Sequence, residues 1–238
     1  MNVVFCFPYA GGSASAYGDL KRLGRTRDIE VVPIEYAGRA SRISDPLYSD
    51  IYETAEDCYR QIKEYLSKHR VSEYGFFGHS MGSWVVYEVA KLVQYREELN
   101  KPKVIFFSAN TIPQIEIDKK MSGLANDVFW EEMYLQGGLE KELYEVKEFK
   151  DYILPIIKND YRILEEYAGP DVEKYKIDSD VCVLAGREDN ISESECRDWS
   201  QFTDHEFDIR WFNGDHFYIR NEGSKLVDLF CRKMNREA

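Results

Sequence analysis

No stretch of this chain approaches the roughly 18 consecutive apolar residues that a membrane span needs. The apolar opening Val3-Val4-Phe5-Cys6-Phe7 has no basic segment before it and no small-residue cleavage site after it. The expectation is a cytoplasmic protein with no membrane partner. Cysteine is sparse and scattered: Cys6, Cys58, Cys182, Cys196 and Cys231 are odd in number and include no C-x-x-C pair. Neither disulfides nor a metal site is expected, and Cys6 and Cys182 read as small core residues within apolar runs. Positive charge is in deficit as well. A formal charge of −12 argues against general nucleic-acid binding, although a local basic patch from Arg39, Arg42, Lys119 and Lys120 is compatible with it. Internal repeats and low-complexity linkers are lacking.

What remains is ample for one large domain spanning 1–238. The chain has 238 residues, 44% hydrophobic and 31% charged, a globular rather than disordered composition. Short runs rich in Val, Ile and Phe recur at 3–7, 29–34, 74–77, 104–108, 181–185 and 207–211, each bounded by Gly, Pro, Asn or Asp. They read as buried parallel strands, which need no polar alternation. Helical patterns lie between them at 52–68, 83–96, 192–201 and 224–236. Strand–helix alternation of this kind predicts an α/β fold, a mostly parallel central sheet flanked by helices with right-handed crossovers.

One stretch breaks the rhythm. From about 115 to 167 the chain carries helix formers and few strand signals, with aromatics at Phe129, Trp130, Tyr134, Tyr144, Phe149, Tyr152 and Tyr161. It reads as a helical insertion between two strands. Gly137-Gly138 would separate two of its helices, and Pro155 would start or kink another. Such an insertion is either a packed subdomain or a lid whose aromatics line an acyl-binding cleft. The lid is favoured, because insertions at the strand-end face commonly carry binding.

The strongest chemical signal is Gly78-His79-Ser80-Met81-Gly82, a G-x-S-x-G pentapeptide. The strand-like Tyr74-Gly75-Phe76-Phe77 precedes it, and an amphipathic helical pattern follows. That is the context of a nucleophile elbow. Glycines at both ends allow the sharp turn, and the new helix aims its free N–H groups and positive dipole end at the Ser80 hydroxyl. A serine nucleophile needs a base, itself oriented by a carboxylate. Of four histidines, His79 lies in the elbow but points elsewhere, His69 ends a polar helix, and His205 sits between acids at the surface. His216, in Asn213-Gly214-Asp215-His216-Phe217, occupies a glycine-containing loop after a strand, where a catalytic base belongs.

The acid should fall between Ser80 and His216 in the chain. Glu188 and Asp189 both follow the run 181–185, and Asp189 is preferred because it lies where the loop has turned back toward the neighbouring strand end. Acyl transfer also needs two N–H groups aimed at the developing oxyanion. The Met81 amide is one. The other comes from Phe7-Pro8-Tyr9-Ala10-Gly11-Gly12-Ser13, where Ala10 is the first choice and Tyr9 its rival. This loop lacks G-x-G-x-x-G and the P-loop lysine, so it is no phosphate cradle.

Together these motifs resemble the stand-alone type II thioesterases of non-ribosomal peptide and polyketide synthesis, which are α/β-hydrolases. The similarity runs in register over nearly the whole chain. The 7–15 segment is similar to that family's oxyanion loop, with Tyr9 where many members have His. Tyr36-Ala37-Gly38-Arg39 with Arg42 resembles its P-G-R-x-x-R segment, Ala37 replacing proline. Leu154-Pro155 through Asp160 and Tyr167 resembles the end of its lid. Gly214-Asp215-His216-Phe217 is similar to its histidine loop, and Asp189 matches the catalytic aspartate, with Asn190 where proline is frequent.

The resemblance implies an editing thioesterase that removes stalled or wrong acyl groups from the phosphopantetheine arm of carrier-protein domains. It implies Ser80, Asp189 and His216 as the catalytic triad, no metal or dissociable cofactor, and a monomer. Acylated carrier domains, commonly acidic, would be the partners, with Arg39 and Arg42 as docking candidates if they are not simply solvated. A general acyl-CoA or carboxylester hydrolase and a non-catalytic scaffold that binds synthase domains are the competing readings.

Overall fold

The computed structural model describes residues 1–114, 120–135, 137–139, 141–169 and 175–235. The runs rich in β-branched and aromatic residues form six strands. These are β1 (Asn2–Phe7), β2 (Ile29–Pro33), β3 (Glu73–His79), β4 (Val104–Ser108), β5 (Asp180–Gly186) and β6 (Phe207–Phe212). All pair in parallel, in the order β2-β1-β3-β4-β5-β6. Within β1 both faces are buried. Val3, Phe5 and Phe7 enter one core, while Val4 and Cys6 enter the other. That is why the sequence shows continuous apolar runs and no alternation.

The first core is closed by α2 (Ile51–Lys68) and α3 (Met81–Arg96). The second is closed by α1 (Gly18–Arg25) and α8 (Gly223–Met234). Helix α1 carries two glycines and four charged residues in eight positions, so no apolar stripe announces it. Helix α3 departs from the expected amphipathic pattern: every residue from Met81 to Ala90 is buried. It runs between the sheet and α2, with Tyr167 against Trp84 and Glu88 and the Tyr175 carbonyl bonded by Tyr87, so it has no water-facing side over that length.

Between β4 and β5 lie α4 (Asn126–Leu135), α5 (Lys141–Tyr144) and α6 (Lys147–Glu166), with a small core of their own around Phe129, Trp130, Met133 and Ile157. The expected start of this insertion falls in 115–119, outside the described residues, and so does Arg236 at the expected end of the last helix. Gly137-Gly138 separates α4 from α5. Pro155 neither starts nor ends a helix but sits inside α6. The pattern at 192–201 resolves into α7 (Glu193–Asp198), started by a Ser192–Glu195 capping box, and a 3₁₀ turn, Trp199–Phe202.

The strand order places the site. From β1 the chain moves outward to β2, then returns across to β3 and proceeds the other way. The carboxyl ends of β1 and β3 are therefore neighbours at a topological switch point, the usual position of a binding crevice in an open parallel sheet. The loop at residues 8–13 leaves one of those ends and Ser80 the other. No described helix is long and apolar enough to cross a membrane.

Candidate active site

Ser80 stands alone between β3 and α3 with φ +53° and ψ −120°, a strained conformation for a residue with a side chain. The surroundings enforce it. A Cβ on Gly78 would lie 2.2 Å from the Gly82 carbonyl oxygen, and one on Gly82 would lie 2.3 Å from that of Phe7. Glycine at both positions lets the turn close against β1. The Ser80 N–H donates to Ser108 O at 2.7 Å, and Asn110 Nδ2 donates to Ser80 O at 2.9 Å. Ser83 Oγ donates to Gly78 O at 2.8 Å. The elbow is thus clamped at both the amide and the carbonyl of Ser80 by Ser108, which ends β4, and Asn110 just after it.

His216 and Asp189 come together from the loops after β6 and β5. His216 Nδ1 lies 3.1 Å from Asp189 Oδ2, and Asp189 Oδ1 accepts the Asn190 N–H at 2.8 Å. Both carboxylate oxygens are engaged, and the Asp189 side chain is 8% exposed against 32% for His216. Gly186 permits the approach, because a Cβ there would meet Asp215 O at 2.3 Å. Glu188 is exposed. With Nδ1 held by the carboxylate, Nε2 is the nitrogen left to exchange a proton. Ser80, Asp189, His216, Tyr9 and Ala10 line one cleft of about 440 Å³. Met81 is fully buried beneath it at the first position of α3, where backbone N–H groups have no helical partner.

His79 is fully buried beneath the site. Its Nδ1 lies 2.8 Å from Ser108 Oγ, which lies 2.6 Å from the Tyr218 hydroxyl. Burial above all, and then the neighbouring His216, holds its pKa well below the ordinary histidine value. The unfolded chain therefore binds a proton near pH 6.5 that the folded chain refuses. Stability is full above that value and falls as pH drops through it toward the depressed folded pKa. A His79→Gln variant should show a shallower fall in urea midpoint between pH 7 and pH 5. An unchanged slope would remove His79 as its source.

Two expectations are corrected here. Arg39 cannot dock a carrier: it is 1% exposed and forms a two-pronged ion pair with Asp160, itself fully buried. Arg42 is only 26% exposed and committed to Asp45, Asp57 and the Glu35 carbonyl. Lys120 is exposed, whereas Lys119 lies outside the described residues. The aromatics of the insertion do not line the cleft as a group. Only Tyr161 does, beside Met133 and Leu164, while Phe129 and Trp130 fill the insertion's own core and Trp130 stacks on Tyr144.

Ser108, Asn110 and Tyr218 form part of the site's scaffold and were not singled out from the sequence. Position was the available signal for the first two, since both lie at the carboxyl end of a strand next to the switch point. His69 and His205 are exposed, one ending α2 and the other paired with Asp178, far from any role in this site.

A family profile described as "Thioesterase domain" matches residues 2–237. The chain is 27% identical over 224 residues to "Thioesterase PikA5" of Streptomyces venezuelae, covering 94% of this chain and 77% of that one. It is 25% identical to "Gramicidin S biosynthesis protein GrsT" of Aneurinibacillus migulanus, covering 97% and 88%. Among solved structures it is similar to ClbQ from the colibactin NRPS/PKS pathway, with 27% identity, a TM-score of 0.87, and 98% and 96% of the two chains covered.

Proposed function

Because the chain belongs to the thioesterase domain family of α/β-hydrolases, we propose that it is a type II thioesterase that strips stalled or wrong acyl groups from the phosphopantetheine arm of carrier domains. One observation carries this reading: a strained serine and a carboxylate-held histidine line the same cleft, together with residues of the helical insertion. The similarity to the gramicidin S biosynthesis protein GrsT and to ClbQ from the colibactin NRPS/PKS pathway supports the choice of substrate.

In this mechanism Ser80 Oγ attacks the thioester carbonyl carbon while His216 Nε2 takes its proton. Asp189 keeps the proton of the neutral ring on Nδ1 and stabilises the imidazolium that forms. The amides of Met81 and Ala10 hold the tetrahedral oxyanion. Collapse breaks the C–S bond, and His216 returns its proton to the leaving thiol. Water, activated by the same nitrogen, then attacks the acyl-Ser80 ester and releases the acid. The helices between β4 and β5 act as a lid, with Met133, Tyr161 and Leu164 against the acyl chain.

The expected result is a kcat/KM at least about tenfold higher for an acyl group on a carrier domain than for the same group on coenzyme A or as a p-nitrophenyl ester. That margin corresponds to about 1.4 kcal/mol of extra transition-state binding. Equal values across the three would favour a general acyl-CoA or ester hydrolase.

A further inference from the structure

The loop after β1 has an unusual setting. Tyr9 and Ala10 line the cleft of about 440 Å³ on one side, and residues 9–13 also line a second cavity of about 390 Å³. Tyr9, Ala10 and Gly11 are only partly buried. Tyr9 packs edge-on against His79 and Phe217, and Ala10 against two of the cores, yet an amide aimed at an oxyanion must be held to a fraction of an ångström. Polar tethers fix the backbone that follows them. The Gly11 N–H donates to Asp160 Oδ2 at 2.8 Å, and Arg39 Nη1 donates to Gly12 O at 3.1 Å. The two tethering side chains are joined to each other, Nη1 to Oδ2 at 2.7 Å and Nη2 to Oδ1 at 2.8 Å.

Three chain segments thus meet at one buried fork: the loop after β1, the turn carrying Arg39, and α6 carrying Asp160. Gly11 has φ +74°, and a Cβ there would stand 3.0 Å from Ile157 Cδ1, so α6 also bears directly on the loop. A buried ion pair is a weak source of stability, since apolar residues of similar volume often serve as well or better. Its directional bonds to both sides of the Gly11–Gly12 peptide are what an apolar pair would lack.

We propose that Arg39 and Asp160 are positioning residues that lock the loop after β1 onto α6 and so hold the Ala10 amide at the oxyanion. The inference rests on the reading of Ala10 as an oxyanion donor. It also ties the insertion to catalysis, because the carboxylate that fixes the donor loop is on the same helix that supplies Tyr161 and Leu164 to the cleft.

The test replaces the fork by apolar side chains, in the Arg39→Met/Asp160→Leu double variant, so that no buried charge is left unpaired. Folded sites are counted by running Ser80 to completion with a fluorophosphonate. Per counted site, kcat should fall about 30- to 100-fold with KM changed less than about threefold. The inhibition constant of an alkyl trifluoromethyl ketone, which forms a tetrahedral oxyanion on Ser80, should weaken by the same factor. A purely structural role would lower the melting temperature and the count of sites but move neither kcat per site nor that constant. Such an outcome overturns the proposal. So does failure of both this variant and Asp160→Asn to fold, which would make the pair a folding element. Ser80→Ala in the same assay separates the two ideas. If it retains hydrolysis, the functional reading falls. If it loses hydrolysis while the apolar pair matches the parent chain, only the positioning role falls.

Discussion

Ser80→Ala should lower hydrolysis of a carrier-borne acyl thioester by about 10⁴-fold or more while leaving the fold intact. The size of the effect follows from chemistry. Without the hydroxyl there is no acyl-enzyme, and water must attack the thioester directly with only the oxyanion donors and binding to help it. Stability should hardly change. Alanine keeps the Cβ that already tolerates φ +53°, and the bonds from Ser80 N to Ser108 and from Asn110 to Ser80 O are made by backbone atoms. Binding of the acylated carrier should survive, so the variant is expected to hold its substrate without turning it over. Kinetics and a direct binding measurement on one preparation check both halves. A loss of less than about tenfold with correct folding would mean that Ser80 is not the nucleophile.

Asp189→Asn should lower kcat by about 10³- to 10⁴-fold with little change in melting temperature. The reason lies in which oxygen is already occupied. Oδ1 accepts the Asn190 N–H, so in the variant the amide oxygen keeps that bond and the NH₂ faces His216 Nδ1. An N–H donor there makes Nδ1 the acceptor and moves the ring proton to Nε2, the nitrogen that must take the Ser80 proton. The ring stays in place and becomes the wrong tautomer. Single-turnover acylation of Ser80 should slow by the same factor as steady-state hydrolysis. A variant that acylates at the parental rate would show that Asp189 does not set the tautomer.

The parts of this protein legible in its sequence are those written in local chemistry. Buried parallel strands need unbroken Val, Ile and Phe, and the six runs from 3–7 to 207–211 are found as strands, with ends displaced by at most two residues. The elbow is legible because only glycine fits at 78 and 82. The chain order of Ser80, Asp189 and His216 carried the rest of the candidate site. Helix α1 escaped notice because its eight residues include two glycines. Helix α3 looked amphipathic because Glu88 and Lys91 interrupt its apolar run, yet Glu88 is buried against Tyr167 and Lys91.

Arg39 is the most instructive case. An arginine near an active-site loop reads as a surface cation, and nothing local says that an aspartate 121 residues later will bury it. Burial of a charge is decided by its partner, and partners distant in sequence are supplied by the fold. The same applies to Phe129 and Trp130, whose aromatic character suggested a cleft wall but whose neighbours make them the insertion's core.

The central claim is that Ser80, driven by His216, takes the acyl group from a carrier arm. The most direct measurement is intact-protein mass spectrometry of enzyme quenched within the first turnover on an acylated carrier domain. The prediction is an enzyme heavier by one acyl group, the added mass mapping to the peptide containing Ser80, together with carrier bearing a free thiol. Free thiol accumulating while Ser80 stays unmodified, both in the parent chain and in an Asp189→Asn variant slowed to trap intermediates, would contradict it.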